Sequence, residues 1–368
     1  MYGGDDMRVP LLPALCLAGL LCLTACGTQA EPTPTPEPAV TTPPPAATAT
    51  PEPTPYNGPV NPLSGLPADE ETAALRPVAV MLNNLREALP QLGQSQADII
   101  YEVVAEGGIT RMLAVYQSVE DVGTIGSIRS TRPYYIELAL GHDALFVHAG
   151  GSDEAYDDLW AWDVDHFDAV RGPYLGKSPE SNMMWRDADR RKENGYEHSV
   201  VATGTSILTY LPEDLRLEHE EGYDAGLVFA DDGTPEGGEP AAVVTVPFSN
   251  YKTGVFTYDA GLNAYLVEEY GEAYVDGATG EQVAVTNVLV VQTRCRYTGD
   301  SLGHMDVDVV GEGEGWFACG GQAIPIRWSK PDRESPMTYT TQAGEPLVLG
   351  RGNTYVNIVP LDAAVTMA

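Results

Sequence analysis

Cations are scarce in this chain of 368 residues, where 20 Lys and Arg stand against 53 Asp and Glu for a formal net charge of −33. Only four of the cations are lysines: Lys177, Lys192, Lys252 and Lys330. A surface this acidic repels phosphate backbones, which excludes nucleic acid as a partner and leaves the charge mainly as a solubility device. Cysteine is nearly as rare, with five residues in all, too few for a disulfide-built fold. No apolar run reaches the ~20 residues a helix needs to span a bilayer. The best, Leu11 to Leu23, is interrupted by Pro13 and Gly19.

Catalytic and ligand motifs are missing as well. Gly93-Gln94-Ser95-Gln96-Ala97 imitates a nucleophile elbow but ends in Ala and follows no strand directly. Gly172-Pro173-Tyr174-Leu175-Gly176-Lys177-Ser178 is one residue short of a phosphate-binding loop. Asp163, Asp165 and Asp168 open like a calcium loop that lacks its turn glycine and distal glutamate. No two histidines have zinc-protease spacing, and Cys319 lacks the neighbours of a transpeptidase cysteine. No metal, no cofactor and no catalytic residue is therefore expected, and the reading leans away from an enzyme.

What is present begins at the amino terminus. Arg8 and the short apolar run fit a secretory signal, although Asp5-Asp6 weakens its basic character and Met7 is an alternative start. The run ends in Leu23-Thr24-Ala25-Cys26-Gly27, which resembles the lipobox of bacterial lipoproteins. There Cys26 becomes a thioether to diacylglycerol, and two or more acyl chains anchor stably where one does not. The expected location is the extracytoplasmic face of the cell membrane, held by lipid. Residues 27–59 contain 11 Pro, 8 Thr and 5 Ala and no Lys or Arg. Such a segment buries too little apolar surface to offset its ordering entropy, so a disordered linker is expected. As extended polyproline, at ~3.1 Å per residue, it would reach about 100 Å.

The remainder is long enough for two domains of ordinary size. In residues 60–216, apolar runs at Pro77–Leu82, Ile99–Val104 and Ile109–Ser118 read as strands, the last two joined at Glu106-Gly107-Gly108. Pro133–Leu140 and Ser152–Trp160 read as helices, Ser152 as an N-cap, with further helical patterns near Asp187–Glu193 and Gly204–Leu211. Residues 217–240, rich in Gly, Asp and Glu, read as a connection. From 241 to 362 short strands dominate. The fold class is α+β: an α/β-type layered N-terminal domain, then a mostly β C-terminal domain.

Two further clusters stand out. Cys295 and Cys319 are the thiols left after signal removal and lipidation, a candidate disulfide in an oxidising compartment. Arg111, Arg129, Arg132 and Arg171, with His148 and His198, are conspicuous where cations are few. Several lie at turns or strand ends, beside Gly150-Gly151 and the cap Ser152, whose helix offers free N–H groups to an anion. Arg111, Arg129, Arg132, His148, Ser152 and His198 are thus the candidate anion-binding set. The competing expectation is that the arginines pair internally with Glu102, Glu106, Asp143 and Asp153.

The chain resembles the YerB-like lipoproteins, the DUF3048 family. The resemblance rests on Asn61-Pro62-Leu63-Ser64-Gly65-Leu66, Arg76 to Asn84, Gln94 to Glu102, Glu106 to Arg111, Ile125 to Pro133 and His148 to Ser152. In the second half it rests on Asn287 to Val291 and Gly352 to Pro360. It implies an N-terminal and a C-terminal domain behind a lipoprotein signal and brings no activity or catalytic residues with it. The expected function is a binding or scaffolding module at the cell envelope, meeting a cell-wall fragment or an envelope protein. The alternative is an envelope hydrolase with His148 or His198 as general base.

Overall fold

The computed structural model describes residues 58–368, so Cys26, the signal and nearly all of the Pro/Thr-rich linker lie outside the described residues. The three N-terminal runs form strands β1 (Val78–Asn83), β2 (Ile99–Val104) and β3 (Thr110–Tyr116). Every residue of all three is buried, which is why they read as continuous apolar runs rather than alternating ones. Side chains nevertheless alternate between faces. Val78, Val80 and Leu82 enter one core, while Ala79 and Met81 enter another on the opposite face. Each large side chain so buried contributes roughly 1.5–3 kcal/mol of transfer free energy.

These strands are the middle of an eleven-stranded mixed sheet. From one side its order is Glu239–Pro240, Gln322–Lys330, Gly311–Cys319, Asn287–Thr293, Thr354–Pro360, β2, β3, β1, Leu145–His148 and His166–Asp168. Strand Thr338–Thr341 pairs off this path with Gln322–Lys330. The sheet draws strands from both sides of residues 217–240. Thr354–Pro360 lies parallel to β2 on one side, Glu102 opposite Asn357, and parallel to Asn287–Thr293 on the other. The 217–240 segment itself carries two short strands, Val228–Ala230 and Glu239–Pro240.

Helices α2 (Pro133–Gly141) and α3 (Asp153–Ala161) follow their sequence signals, and a short helix α1 (Glu70–Ala74), not read from the sequence, precedes them. Pro133 opens α2, and the Ser152 side chain accepts from the Ala155 N–H at the start of α3. Tyr134, Tyr135, Ile136, Leu138, Ala155 and Leu159 join the core on the Ala79 face. A six-stranded sheet that includes Val243–Pro247, Thr253–Asp259 and Ala264–Glu269 covers the other face through Val244, Phe256, Tyr265 and Val267. Among the described residues every α-helix ends by Thr209, and only strands follow, the α+β order expected from sequence.

The candidate disulfide between Cys295 and Cys319 is not formed: both are free thiols. Strand register is the reason. Val288 lies opposite Ala318 and Val291 opposite Gly315, so Cys319 comes level with Asn287 at the start of that strand. Cys295 lies past Thr293 at the other end. Six residues of strand separate the two ends, roughly 20 Å, against about 7 Å for the longest Cα separation a disulfide spans. Burial pushes the Cys295 thiol up to about 12 and that of Cys319 up to about 11, so neither is a ready nucleophile.

Candidate functional site

β1, Leu145–His148 and His166–Asp168 are parallel neighbours, so their carboxyl ends open on the same side of the sheet. The crevice beyond such ends is where parallel sheets offer ligand sites. The segment after Gly126 runs along them. The Arg129 N–H donates to the Met81 carbonyl at 3.0 Å, the Ala149 N–H to that of Arg129 at 3.0 Å, and the Thr131 N–H to that of Gly150 at 2.9 Å. Gly150 takes φ +91°, and a Cβ there would meet Ser130 Oγ at 3.0 Å. Glycine is needed for the loop to turn.

A cleft of about 370 Å³ lies in this crevice, with Arg129, Arg171 and Arg186 in its walls beside Gly150, Tyr156 and Tyr196. Arg129 donates to the Glu197 carbonyl at 2.9 Å and approaches its carboxylate at 3.5 Å. Arg171 stacks 3.7 Å over the Tyr156 ring and reaches Asp153 at 2.8 Å. Arg186 stacks 3.7 Å over Tyr196 and donates to the Tyr196 carbonyl at 2.7 Å. The carboxylates of Glu197 and Asp153 are 73% and 94% exposed. Pairs that open to water are worth about 0–1 kcal/mol, so an incoming anion displaces them at little expense. The Nε atoms of Arg129 and Arg186 have no hydrogen-bond partner at all.

The floor of the cleft is fixed by Asp168. Its carboxylate accepts from the N–H groups of Gly150 (2.8 Å), Val170 (2.9 Å) and Arg171 (2.8 Å) and from the Tyr156 hydroxyl (2.7 Å). Burial opposes ionisation of this group, but the adjacent His148 ring, the loop amides and Tyr156 together hold its carboxyl below the usual range. Two loops and one wall of the cleft are thereby tied to one residue.

The sequence candidates divide. Arg129 lines the cleft, and so does Arg171, which was conspicuous from sequence. Arg111 and Arg132 do not: both are buried and clamp Glu106, Arg111 through a close ion pair and Arg132 at 2.8 Å. Arg111 also donates to the Ser130 carbonyl at 2.9 Å and Arg132 to that of Thr131 at 2.6 Å. Burial lowers Arg111 to about 10. Burial works against the Glu106 carboxylate too, yet the two arginines hold its pKa below the ordinary value.

His148 is fully buried beneath the cleft. Its Nδ1–H donates to the Gly150 carbonyl at 2.9 Å and its Nε2 accepts from His166 at 2.9 Å, leaving no free ring nitrogen. Burial pushes its pKa down to about 4. Ser152 caps α3 behind the cleft rather than lining it, and Asp153 and Glu154 already occupy that helix's first turn. His198 takes an Asn83 amide hydrogen bond at 2.7 Å and also stays outside the lining. Burial and the nearby Arg129 lower its pKa.

Sequence reading missed Arg186, Tyr196, Tyr156 and Asp168. Asp168 had been seen only in the failed calcium motif, and its neighbour Asp165 pairs instead with Arg76 at 2.6 Å. Arg186 ends a strand of three residues, Met184–Arg186, too short to produce a periodic signal.

Comparison with known proteins gives consistent matches. The N-terminal domain model of the protein of unknown function DUF3048 matches residues 63–214, and the C-terminal domain model matches residues 244–356. A Bacillus subtilis (strain 168) protein named "Putative lipoprotein YerB" is 31% identical over 307 residues, covering 82% of this chain and 87% of the relative. The crystal structure of YerB protein from Bacillus subtilis superposes with a TM-score of 0.70 at 28% identity, covering 83% of this chain and 99% of that one.

Proposed function

The chain belongs to the DUF3048 family, and on that premise we propose that it is an exported lipoprotein that binds an anionic group at the cell envelope through the cleft of Arg129, Arg171 and Arg186. One observation carries this reading: three guanidinium groups surround a single cleft in a chain with 33 more acidic than basic residues. Guanidinium forks match carboxylate and phosphate oxygens bidentately. The stacked tyrosines hold two of the forks in place and add faces on which a sugar or peptide can rest. The fitting ligand is a carboxylate or phosphate on a cell-wall fragment or an envelope protein. Anchoring rests on the lipobox-like sequence ending at Cys26 and on the lipoprotein name of the relative. The hydrolase alternative draws no support from His148, both of whose ring nitrogens are occupied internally.

Thermal melts of wild type and an Arg129→Gln/Arg186→Gln variant, with and without phosphate and purified wall fragments, test the cleft. A ligand at 100 times its Kd stabilises the native state by ~2.7 kcal/mol, and the variant should lose that gain. Wild-type melts unmoved by phosphate and by wall fragments would refute the cleft. For the anchor, Cys26→Ser should leave the protein unprocessed or in the soluble exported fraction. A processed variant that stays tightly membrane-bound would count against it.

A further inference from the structure

A second cluster of ionisable groups, separate from the arginine cleft, lies where the central sheet meets the six-stranded sheet. Lys252 precedes the strand Thr253–Asp259, and Glu269 closes the neighbouring strand Ala264–Glu269 opposite Gly254. Glu102 comes up from the middle of β2, and Asn84 follows β1. All four side chains are sealed from solvent, none more than 1% exposed. Lys252 Nζ lies 3.0 Å from Glu102 Oε1 and in direct contact with Glu269 Oε2. The Phe248 and Tyr270 rings stand 5.7 and 5.1 Å from the same nitrogen and complete a dry, aromatic enclosure.

As an ion triad this arrangement is poor. It buries two carboxylates against one ammonium, and each desolvated ion costs several kcal/mol before any attraction returns. The two carboxylates are also unequally served. Glu102 accepts from Thr110 at 2.5 Å, Asn84 at 2.9 Å and Tyr355 at 2.7 Å, so both of its oxygens are served. Glu269 Oε1 has no partner, and Glu269 Oε2 has only Lys252 and a 3.5 Å contact from Asn84. Burial lowers the Lys252 pKa, which favours the neutral amine. A nucleophilic amine, an under-solvated carboxyl group and a carboxylate able to move protons are thus held together away from the solvent-accessible surface.

We propose that Lys252 and Glu269 are joined in the mature protein by an intramolecular amide bond, with Glu102 as the proton carrier. The Nζ lone pair attacks Glu269 Cδ, and a C–N bond forms. Glu102 takes a proton from the nitrogen and returns it to the departing oxygen, the Cδ–O bond breaks, and one water leaves. The overall change is an ammonium and a carboxylate becoming an amide and water, with no oxidant, reductant or cofactor. Fixed neighbours react with effective molarities on the order of 10⁵–10⁸ M, and the product removes two buried charges.

The test is peptide mapping of the full chain purified from cell envelopes. Trypsin cuts after Arg216, Lys252 and Arg294, and an acylated lysine is not cut. The expected product is a single fragment from Leu217 to Arg294, uncut at Lys252 and lighter than its sequence by the mass of one water. Glu102→Gln should restore both cleavage and full mass while leaving the two bonded residues in place. Because the wild-type result is read on denatured peptides, it does not depend on any variant folding. Complete cleavage after Lys252 with unaltered masses overturns the proposal. Lys252 found joined instead to the fragment that ends at Arg86, with a deficit equal to ammonia, overturns the Glu269 assignment, because it makes Asn84 the acceptor.

Discussion

Removing Glu106 should destabilise this protein more than removing almost any other carboxylate. The Glu106 side chain is 22% exposed and is the shared ion partner of Arg111 and Arg132, whose side chains are 4% and 7% exposed. In Glu106→Ala both guanidiniums stay buried without a counter-ion. Breaking such a pair from one side costs about 3–5 kcal/mol. Unfolding entropy of roughly 2.1 cal/mol/K per residue over about 310 residues is ~0.65 kcal/mol/K, which converts that loss into a drop in Tm of about 5–8 °C. The exposed pair Arg86–Glu272, with side chains 60% and 78% accessible, supplies the control. Glu272→Ala should move Tm by less than about 2 °C, since exposed pairs contribute about 0–1 kcal/mol. A triple replacement, Glu106→Leu with Arg111→Met and Arg132→Met, should recover most of the loss, because apolar groups of similar volume tolerate the site. Calorimetry of the four proteins at one pH decides the matter. A Glu106→Ala melt within 2 °C of wild type would mean that the two arginines find water or other acceptors, and their role as internal struts would fall.

Stability should decline as pH falls from about 6.5 to about 4. Burial depresses His148 to about 4 and His142 to about 3, so across that window the unfolded chain binds protons that the native state refuses. Burial raises Glu137 to about 7, and Asp98 and Asp158 upward as well, which works in the opposite direction, but burial lowers His166 and His198 along with His148 and His142, four histidines in all. Urea melts across this range should show the decline, with a shallower slope for His142→Gln; an equal slope would clear His142. Gly204→Ala should cost more than ~2 kcal/mol, because its Cβ would lie 1.7 Å from the Val119 carbonyl oxygen. An unchanged midpoint would contradict that packing. Thiol titration of the mature protein in denaturant without reductant should find two free groups, Cys295 and Cys319; finding none would mean they had paired.

Sequence reading succeeded where a local signal was strong. β1, β2 and β3 announce themselves because both faces of the central sheet are covered, and α2 and α3 because Pro133 and Ser152 mark their starts. Strands Thr124–Gly126 and Met184–Arg186 carry three residues each, below the length at which alternation is visible. The arginine cluster was half legible for a geometric reason. Thr131 bridges Gly151, and Arg132 is extended at φ −137° and ψ 162°. In such backbone, residues three apart face opposite sides. Arg129 therefore looks into the cleft while Arg132 turns inward to Glu106, although the two seemed equivalent in sequence. Arg186 and Tyr196 join them only through tertiary folding, which no spacing rule reports.

The place of Thr354–Pro360 in the sheet also governs the order in which the chain can fold. Ribosomes deliver β2 and β3 early, and these can pair as a hairpin at once. The other edge of β2 is reserved for a strand that emerges about 250 residues later. Until it arrives, β2 exposes unpaired N–H and C=O groups along an apolar ribbon, a template for association with any other extended chain. Closing so distant a contact is slow. The finished protein hides its most adhesive edge beneath a strand made long after it, so a chain truncated before residue 354 should be a client of chaperones and proteases rather than a smaller folded protein.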